Sequence, residues 1–223
     1  MLRLLLGLLL LTPTAASAQI MSAVTGLFDS VNSIAFSVGG GQIVGDTELE
    51  ADCLGGGICA MGIEVLLDLP SPEGVVLELG LGTRFLRGFG ATEPTLDLRG
   101  SVRTLPEISV YATRPEMMGR RVIQPYVGLN FGFAQLWNVR GYDDEGTQYE
   151  VDSEAFEVGA TVGVYLNVAV LSGLYVEGTY RHRRFDSLDW SIPGAPVLPA
   201  GWPRELNISS ALVTVGWQFR LTE

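Results

Sequence analysis

The stretch Tyr126-Val-Gly-Leu-Asn-Phe-Gly-Phe-Ala-Gln-Leu-Trp137 reads by twos. Val127, Leu129, Phe131 and Phe133 form one set, and Gly128, Asn130, Gly132 and Ala134 form the other. Side chains on a strand alternate faces, so one face is bulky and apolar and the other small or polar. A soluble sandwich strand also alternates, with its apolar face turned inward. Here that bulk would crowd a narrow core, whereas glycines suit the lumen of a barrel. The next two segments repeat the scheme. Phe156, Val158, Ala160, Val162, Val164 and Leu166 alternate with Glu157, Gly159, Thr161, Gly163, Tyr165 and Asn167. Leu174, Val176, Gly178 and Tyr180 alternate with Tyr175, Glu177, Thr179 and Arg181. Three consecutive segments of this length and polarity have the pattern of transmembrane β-barrel strands.

The start of the chain agrees. Met1-Leu-Arg3, an apolar run to Leu11 and an Ala16-Ser-Ala18 end read as a secretory signal peptide, residues 1–18, cut after Ala18. Residues 19–30 form a lead-in, a short amphipathic helix or an unstructured tail, and 31–223 form the barrel. No later segment is a continuous apolar run of the ~20 residues a spanning helix needs, yet 47% of the residues are hydrophobic and 28 are glycine. An exported chain with diluted, alternating hydrophobicity suits a barrel better than a helix bundle. The net charge of −11 excludes nucleic acid as an expected partner, because phosphate binding needs a basic face. Cys53 and Cys59 flank a glycine run, and an oxidising compartment favours a disulfide that stiffens a surface loop. Two thiols and one histidine make a poor metal set, so no metal or cofactor is expected.

Eight strands are predicted, near 32–42, 59–69, 75–86, within 95–114, and at 121–137, 154–168, 173–185 and 208–221. Pro70-Ser-Pro-Glu-Gly74 is a tight turn by composition. Gly88–Pro94, 138–153 and 186–206 are connections. In the fourth strand Leu96, Leu98, Val102, Ile108 and Val110 share one parity, Asp97, Arg99, Ser101, Arg103, Glu107, Ser109 and Tyr111 the other. Pro106 interrupts it. Either this strand is long and protrudes past the membrane, or only 105–114 is embedded. Connections after odd-numbered strands are longer and those after even-numbered strands short. That matches short periplasmic turns and long outer loops, with both chain ends periplasmic. The acidic stretches 43–52 and 142–154 then face outside.

The chain resembles the small eight-stranded outer-membrane β-barrel proteins, the group that includes the barrel domain of outer membrane protein A and the opacity-type surface proteins. Pro125-Tyr-Val-Gly-Leu-Asn-Phe-Gly132, Leu174-Tyr-Val-Glu-Gly-Thr-Tyr-Arg181 and the last strand carry the resemblance. It implies an all-β, eight-stranded antiparallel up-and-down transmembrane β-barrel in a bacterial outer membrane. It also implies that Thr214, Gly216, Phe219 and Leu221 are the assembly signal read by the barrel-assembly machinery. Many members finish on an aromatic, whereas this chain continues with Thr222 and Glu223.

Parity places Glu64, Asp68, Glu78, Arg84, Glu157, Glu177, Arg181, Arg183, Gln218 and Arg220 on the inner face. An eight-stranded barrel holds little beyond its own side chains, and buried charges must be paired. These groups are read as a structural polar plug, with Glu177–Arg220 and Glu78–Arg84 as pairs; the alternative is a narrow gated ion path. Trp137, Trp190, Trp202, Trp217, Tyr126, Tyr142 and Tyr180 are candidates for interfacial girdles, with loop packing the plainer reading of Trp190 and Trp202. His182 points outward, and the closest serine along the chain is Ser187, so the His-x-Ser spacing of a lipid A deacylase is absent. Arg181, Arg183 and Arg184 are expected to meet lipopolysaccharide phosphates. Asn207-Ile-Ser209 is an accidental glycosylation sequon. The functional expectation is a monomeric, non-enzymatic barrel in contact with outer-membrane lipid and lipopolysaccharide, serving envelope integrity or adhesion. The alternatives are a small pore or hydrophobic-solute passage, and a soluble lipocalin-like carrier.

Overall fold

The computed structural model describes residues 31–45, 50–51, 60–93, 96–113, 123–142, 146–169, 171–191 and 203–221. The leader 1–18, the lead-in 19–30, Cys53, Cys59 and Trp202 lie outside them. The strands in chain order are β1 (Val31–Ile43), β2 (Glu50–Ala51), β3 (Ala60–Leu69), β4 (Val76–Glu93), β5 (Leu96–Thr113) and β6 (Ile123–Tyr142). They continue with β7 (Gln148–Asp152), β8 (Glu154–Ala169), β9 (Ser172–Phe185), β10 (Asp189–Ser191), β11 (Leu206–Asn207) and β12 (Ser210–Arg220).

Eight of these close a ring of antiparallel neighbours: β1, β3, β4, β5, β6, β8, β9, β12 and back to β1. The fold is a closed, all-β, eight-stranded up-and-down barrel, which leaves no unpaired edge. At the end carrying Val31 and Arg220, here the near end, the connections are short. The 70–75 turn closes with Val75 N–H donating to Pro72 O at 3.3 Å. Gly74 supplies the φ of 84° that a side chain would resist.

At the far end the strands run on beyond the ring. β4 continues through the stretch expected as the Gly88–Pro94 connection as far as Glu93, and pairs with β5 down to Glu93↔Leu96. The expected linker 138–153 is likewise strand in part. β6 reaches Tyr142, β7 pairs with it, and β10 adds to β7. β2 adds to β4 and β11 to β9.

β5 settles the open question about the fourth strand: it is long. Its single parity, however, does not survive. The register shifts between Thr104 and Glu107, around the cis Leu105–Pro106 bond. Two residues there oppose one on β6, a bulge that reverses which side chains face inward. Below it Glu107, Ser109 and Tyr111 are inside; above it Leu98, Val102 and Thr104 are, while Ile108 and Leu105 face out. Proline has no N–H to give a ladder, and in a ring with no edge a bulge is where it fits.

Candidate functional site

The outer wall carries the apolar set. Val127, Val162 and Val213 are 57%, 62% and 60% exposed, and Phe36, Phe133 and Phe156 are also exposed. They lie on β1, β6, β8 and β12, and Ile63 on β3, Ile108 on β5 and Val176 on β9 are exposed too, so the apolar belt spans seven of the eight ring strands. A soluble carrier buries such residues; a barrel that turns them outward is built for lipid. Trp137 and Tyr180 are exposed at the upper part of this belt. Tyr126 is not in a girdle. Its position shares parity with Gly128 and Asn130, and its ring lies in the lumen.

The lumen has three layers. The far-end layer corrects the expectation of a uniformly polar tube: Leu86, Leu98, Leu136, Val139, Phe185 and Leu212 form a buried apolar core there. Leu188 and Trp190 fold over it from the 186–191 segment, and Trp190 Nε1 donates to Pro203 O at 3.1 Å. The far mouth is therefore filled by packed side chains.

The middle layer is ionic. Arg181 bridges Glu157 and Glu107, the latter at 2.6 Å, and Arg183 pairs with the other oxygen of Glu157. Thr104 also donates to Glu157, at 2.6 Å, and Arg183 to Ser210 at 2.9 Å. Arg84 reaches Glu177 at 3.2 Å and Glu107 at 3.4 Å. Thr214 and Tyr126 donate to Glu177 at 2.8 and 3.0 Å. Thr161 donates to Asn130, which donates to Ser109. Arg84, Glu157, Glu177, Arg181 and Arg183 thus meet in one layer. Glu64, Glu78 and Arg220 lie apart in the near-end pocket. The partners differ from those expected: Glu177 holds Arg84 rather than Arg220, and Arg84 takes Glu107 and Glu177 rather than Glu78. Glu107 was not named among the inner charges, although it shares the inward parity of Ser109 and Tyr111 below the β5 bulge.

The near-end layer is a pocket open at that end, with Tyr111, Tyr126, Tyr165 and Tyr175 in its wall. Each ring packs against a glycine of the next strand: Tyr111 on Gly128, Tyr126 on Gly163, Tyr165 on Gly173 and Tyr175 on Gly216. The four steps run from β5 through β6, β8 and β9 to β12 and lean the same way round. The glycines on the inner face make room for the tyrosines, and a Cβ at any of the four would collide with its ring.

His182 does face outward, but its partner is Ser209, not Ser187, at 2.9 Å from Nδ1. Ser209 is buried, donates to Asn207 Oδ1 at 2.6 Å and accepts from the Arg183 N–H at 3.3 Å. That hydroxyl is held in a strand irregularity rather than presented to substrate. Arg181 and Arg183 are inside the lumen, which removes them from any lipid contact. Arg184 is outside, but Asp186 and Glu205 hold it at 2.8 and 2.7 Å. Arg87, Arg99, Arg103 and Arg140, on β4, β5 and β6, also face outward on the far half. Arg103 stands 4.7 Å over the Trp137 ring. Thr214 and Gly216 face the lumen, and Phe219 and Leu221 are exposed on the outer side.

No protein-family model matches the chain, and no curated protein sequence matches it. Solved structures do. Outer membrane protein OprG from Pseudomonas aeruginosa aligns at a TM-score of 0.50 and 10% identity, over 86% of this chain and 98% of that one. Neisserial surface protein A aligns at 0.48 and 9%, over 85% and 96%. Outer membrane protein AlkL, solved in lipid bilayers, aligns at 0.46 and 11%, over 87% and 92%. The chain has the fold of a small outer-membrane β-barrel. At these identities the likeness is one of fold alone.

Proposed function

We propose that this chain is an integral, non-conducting β-barrel of a Gram-negative outer membrane. It is exported through a cleaved leader, residues 1–18, and presents an ordered far-end sheet at the cell surface. Its role is structural, in envelope integrity or surface contact, and not enzymatic. The single observation that carries this is the filled lumen inside a lipid-facing wall: an ion-paired middle layer beneath an apolar core that fills the far mouth. Water or ions passing through would have to part both layers, and separating buried charges costs about 3–5 kcal/mol per broken pair.

The orientation follows from the short near-end turns and both barrel termini lying at that end, as in outer-membrane barrels. The far end is then outside, where Arg87, Arg99, Arg103 and Arg140 stand at and above the Trp137 level. All 14 basic residues of the chain are arginines, and the guanidinium fork fits phosphate oxygens. These four take over the lipopolysaccharide contact first assigned to Arg181, Arg183 and Arg184. Thr214, Gly216, Phe219 and Leu221 remain the proposed signal for the assembly machinery, and the Cys53–Cys59 disulfide remains a proposal for the 44–59 loop.

The test is conductance of the refolded chain in planar bilayers. Silence across ±150 mV, with insertion proven by proteolysis of the far-end loops, is expected. A reproducible unit conductance would overturn the closed-lumen reading and favour the small-pore alternative.

A further inference from the structure

The near-end pocket has a feature that a filler of space does not need. Among the described residues, five carboxylates lie in the ionic layer and the pocket: Glu64, Glu78, Glu107, Glu157 and Glu177. Four guanidiniums oppose them: Arg84, Arg181, Arg183 and Arg220. One negative charge is left over. The hydrogen bonds say where it sits. Glu64 Oε2 accepts from Tyr111 at 2.9 Å, but Glu64 Oε1 is buried with no hydrogen-bond partner. A buried carboxylate oxygen without a donor is costly, and a bound group that brings positive charge to Glu64 would offset that cost.

The wall says what kind. The four tyrosine rings offer π faces, which attract cations. The pocket already holds one such contact: Arg220 Cζ stands 5.6 Å from the Tyr165 ring centre. A bare divalent ion wants six or more converging oxygens, and no group of three or more His, Cys, Asp or Glu able to hold a metal occurs among the described residues. Aromatic faces around one spare carboxylate suit an alkylammonium better.

We propose that the near-end pocket binds a small organic monocation, an alkylated or quaternary ammonium. Its positive head meets Glu64, and its alkyl groups pack on Tyr111, Tyr126, Tyr165 and Tyr175. The pocket opens at the end assigned to the periplasm, so it is loaded from inside the envelope and does not require a path through the barrel. The proposal goes beyond the surface role and does not rest on it, since channel recordings and ligand titration fail separately.

The experiment is a titration of the chain, refolded in dodecyl maltoside, with choline and with its uncharged isostere 3,3-dimethylbutan-1-ol, followed by tyrosine side-chain NMR. Choline is expected to shift the pocket tyrosines saturably and to bind at least about tenfold tighter than the alcohol. The Glu64→Gln variant, which keeps the shape and removes the charge, is expected to lose about tenfold or more in choline affinity. Its folding is scored independently by the heat-dependent shift of its gel band. Absence of a saturable shift, equal binding of choline and the alcohol to the wild-type chain, or undiminished binding by folded Glu64→Gln would each overturn the proposal. The wild-type comparison stands even if the variant does not refold.

Discussion

Glu157 shows what single residues do in this lumen. It is fully buried, and its two oxygens serve Arg181, Arg183 and Thr104 at once. Removing it strands two buried guanidiniums, so Glu157→Ala should cost about 3–5 kcal/mol in urea unfolding from lipid vesicles. Glu205, whose partner Arg184 is exposed, is the contrast: Glu205→Ala should cost under ~1 kcal/mol. Equal effects would mean that the ionic layer is hydrated rather than buried. The tyrosine–glycine steps make a second test at this scale. A Cβ at Gly216 collides with the ring of Tyr175. Gly216→Ala should therefore destabilise by roughly 1–3 kcal/mol, and Tyr175→Ala should remove most of that penalty in a double-mutant cycle. Additive losses would show that the ring does not rest on that glycine. In the envelope, Arg103→Ala with Arg140→Ala should lower the lipopolysaccharide retained on purification, measured by phosphate content. Unchanged retention would return those arginines to a purely solvated role.

Among the elements, β5 is the instructive one. The bulge at 104–107 lets its lower half put Glu107 inside and its upper half put Leu98 and Val102 inside. Deleting Leu105 removes the extra residue and throws one half out of phase. The deletion variant should lose the heat-dependent gel shift of a folded barrel; a wild-type shift would mean that the bulge does not set the phase. The same element marks where sequence reading stops. β6 as far as Leu136, β8 as far as Asn167, β9 and β12 alternate without interruption, so their faces follow from parity alone, from Val127 to Phe219; beyond Leu136 an extra residue in β6, at Asn138 with its φ of 53°, brings Val139 and Gly141 inside. In β5 the proline announced an irregularity, but not that the phase reverses across it, which on paper turned Leu98 and Val102 outward and Arg99 and Arg103 inward. Cross-strand partners were hidden for another reason. Arg84 and Glu177 are 93 positions apart, and which charges meet across a lumen depends on strand stagger, which no local pattern records. The apolar far-end core was missed because Leu86, Leu136 and Phe185 look like lapses in a polar face until the far-end strands are seen to continue and pack over one another.

At the scale of the whole molecule, one barrel does three jobs along its axis. Its wall meets lipid, its middle is pinned by buried ion pairs, and its far end is an ordinary hydrophobic core under an extended sheet. The most direct test is site-directed spin labelling along β8 from Phe156 to Leu166, in vesicles, with both cysteines replaced by serine. Phe156, Val158, Ala160, Val162, Val164 and Leu166 should be accessible to membrane-dissolved oxygen and shielded from an aqueous nickel complex. Glu157, Gly159, Thr161, Gly163 and Tyr165 should give low oxygen accessibility, producing a clean period of two. Oxygen accessibility on the odd-numbered set, or no alternation at all, would contradict a greasy wall around a polar lumen.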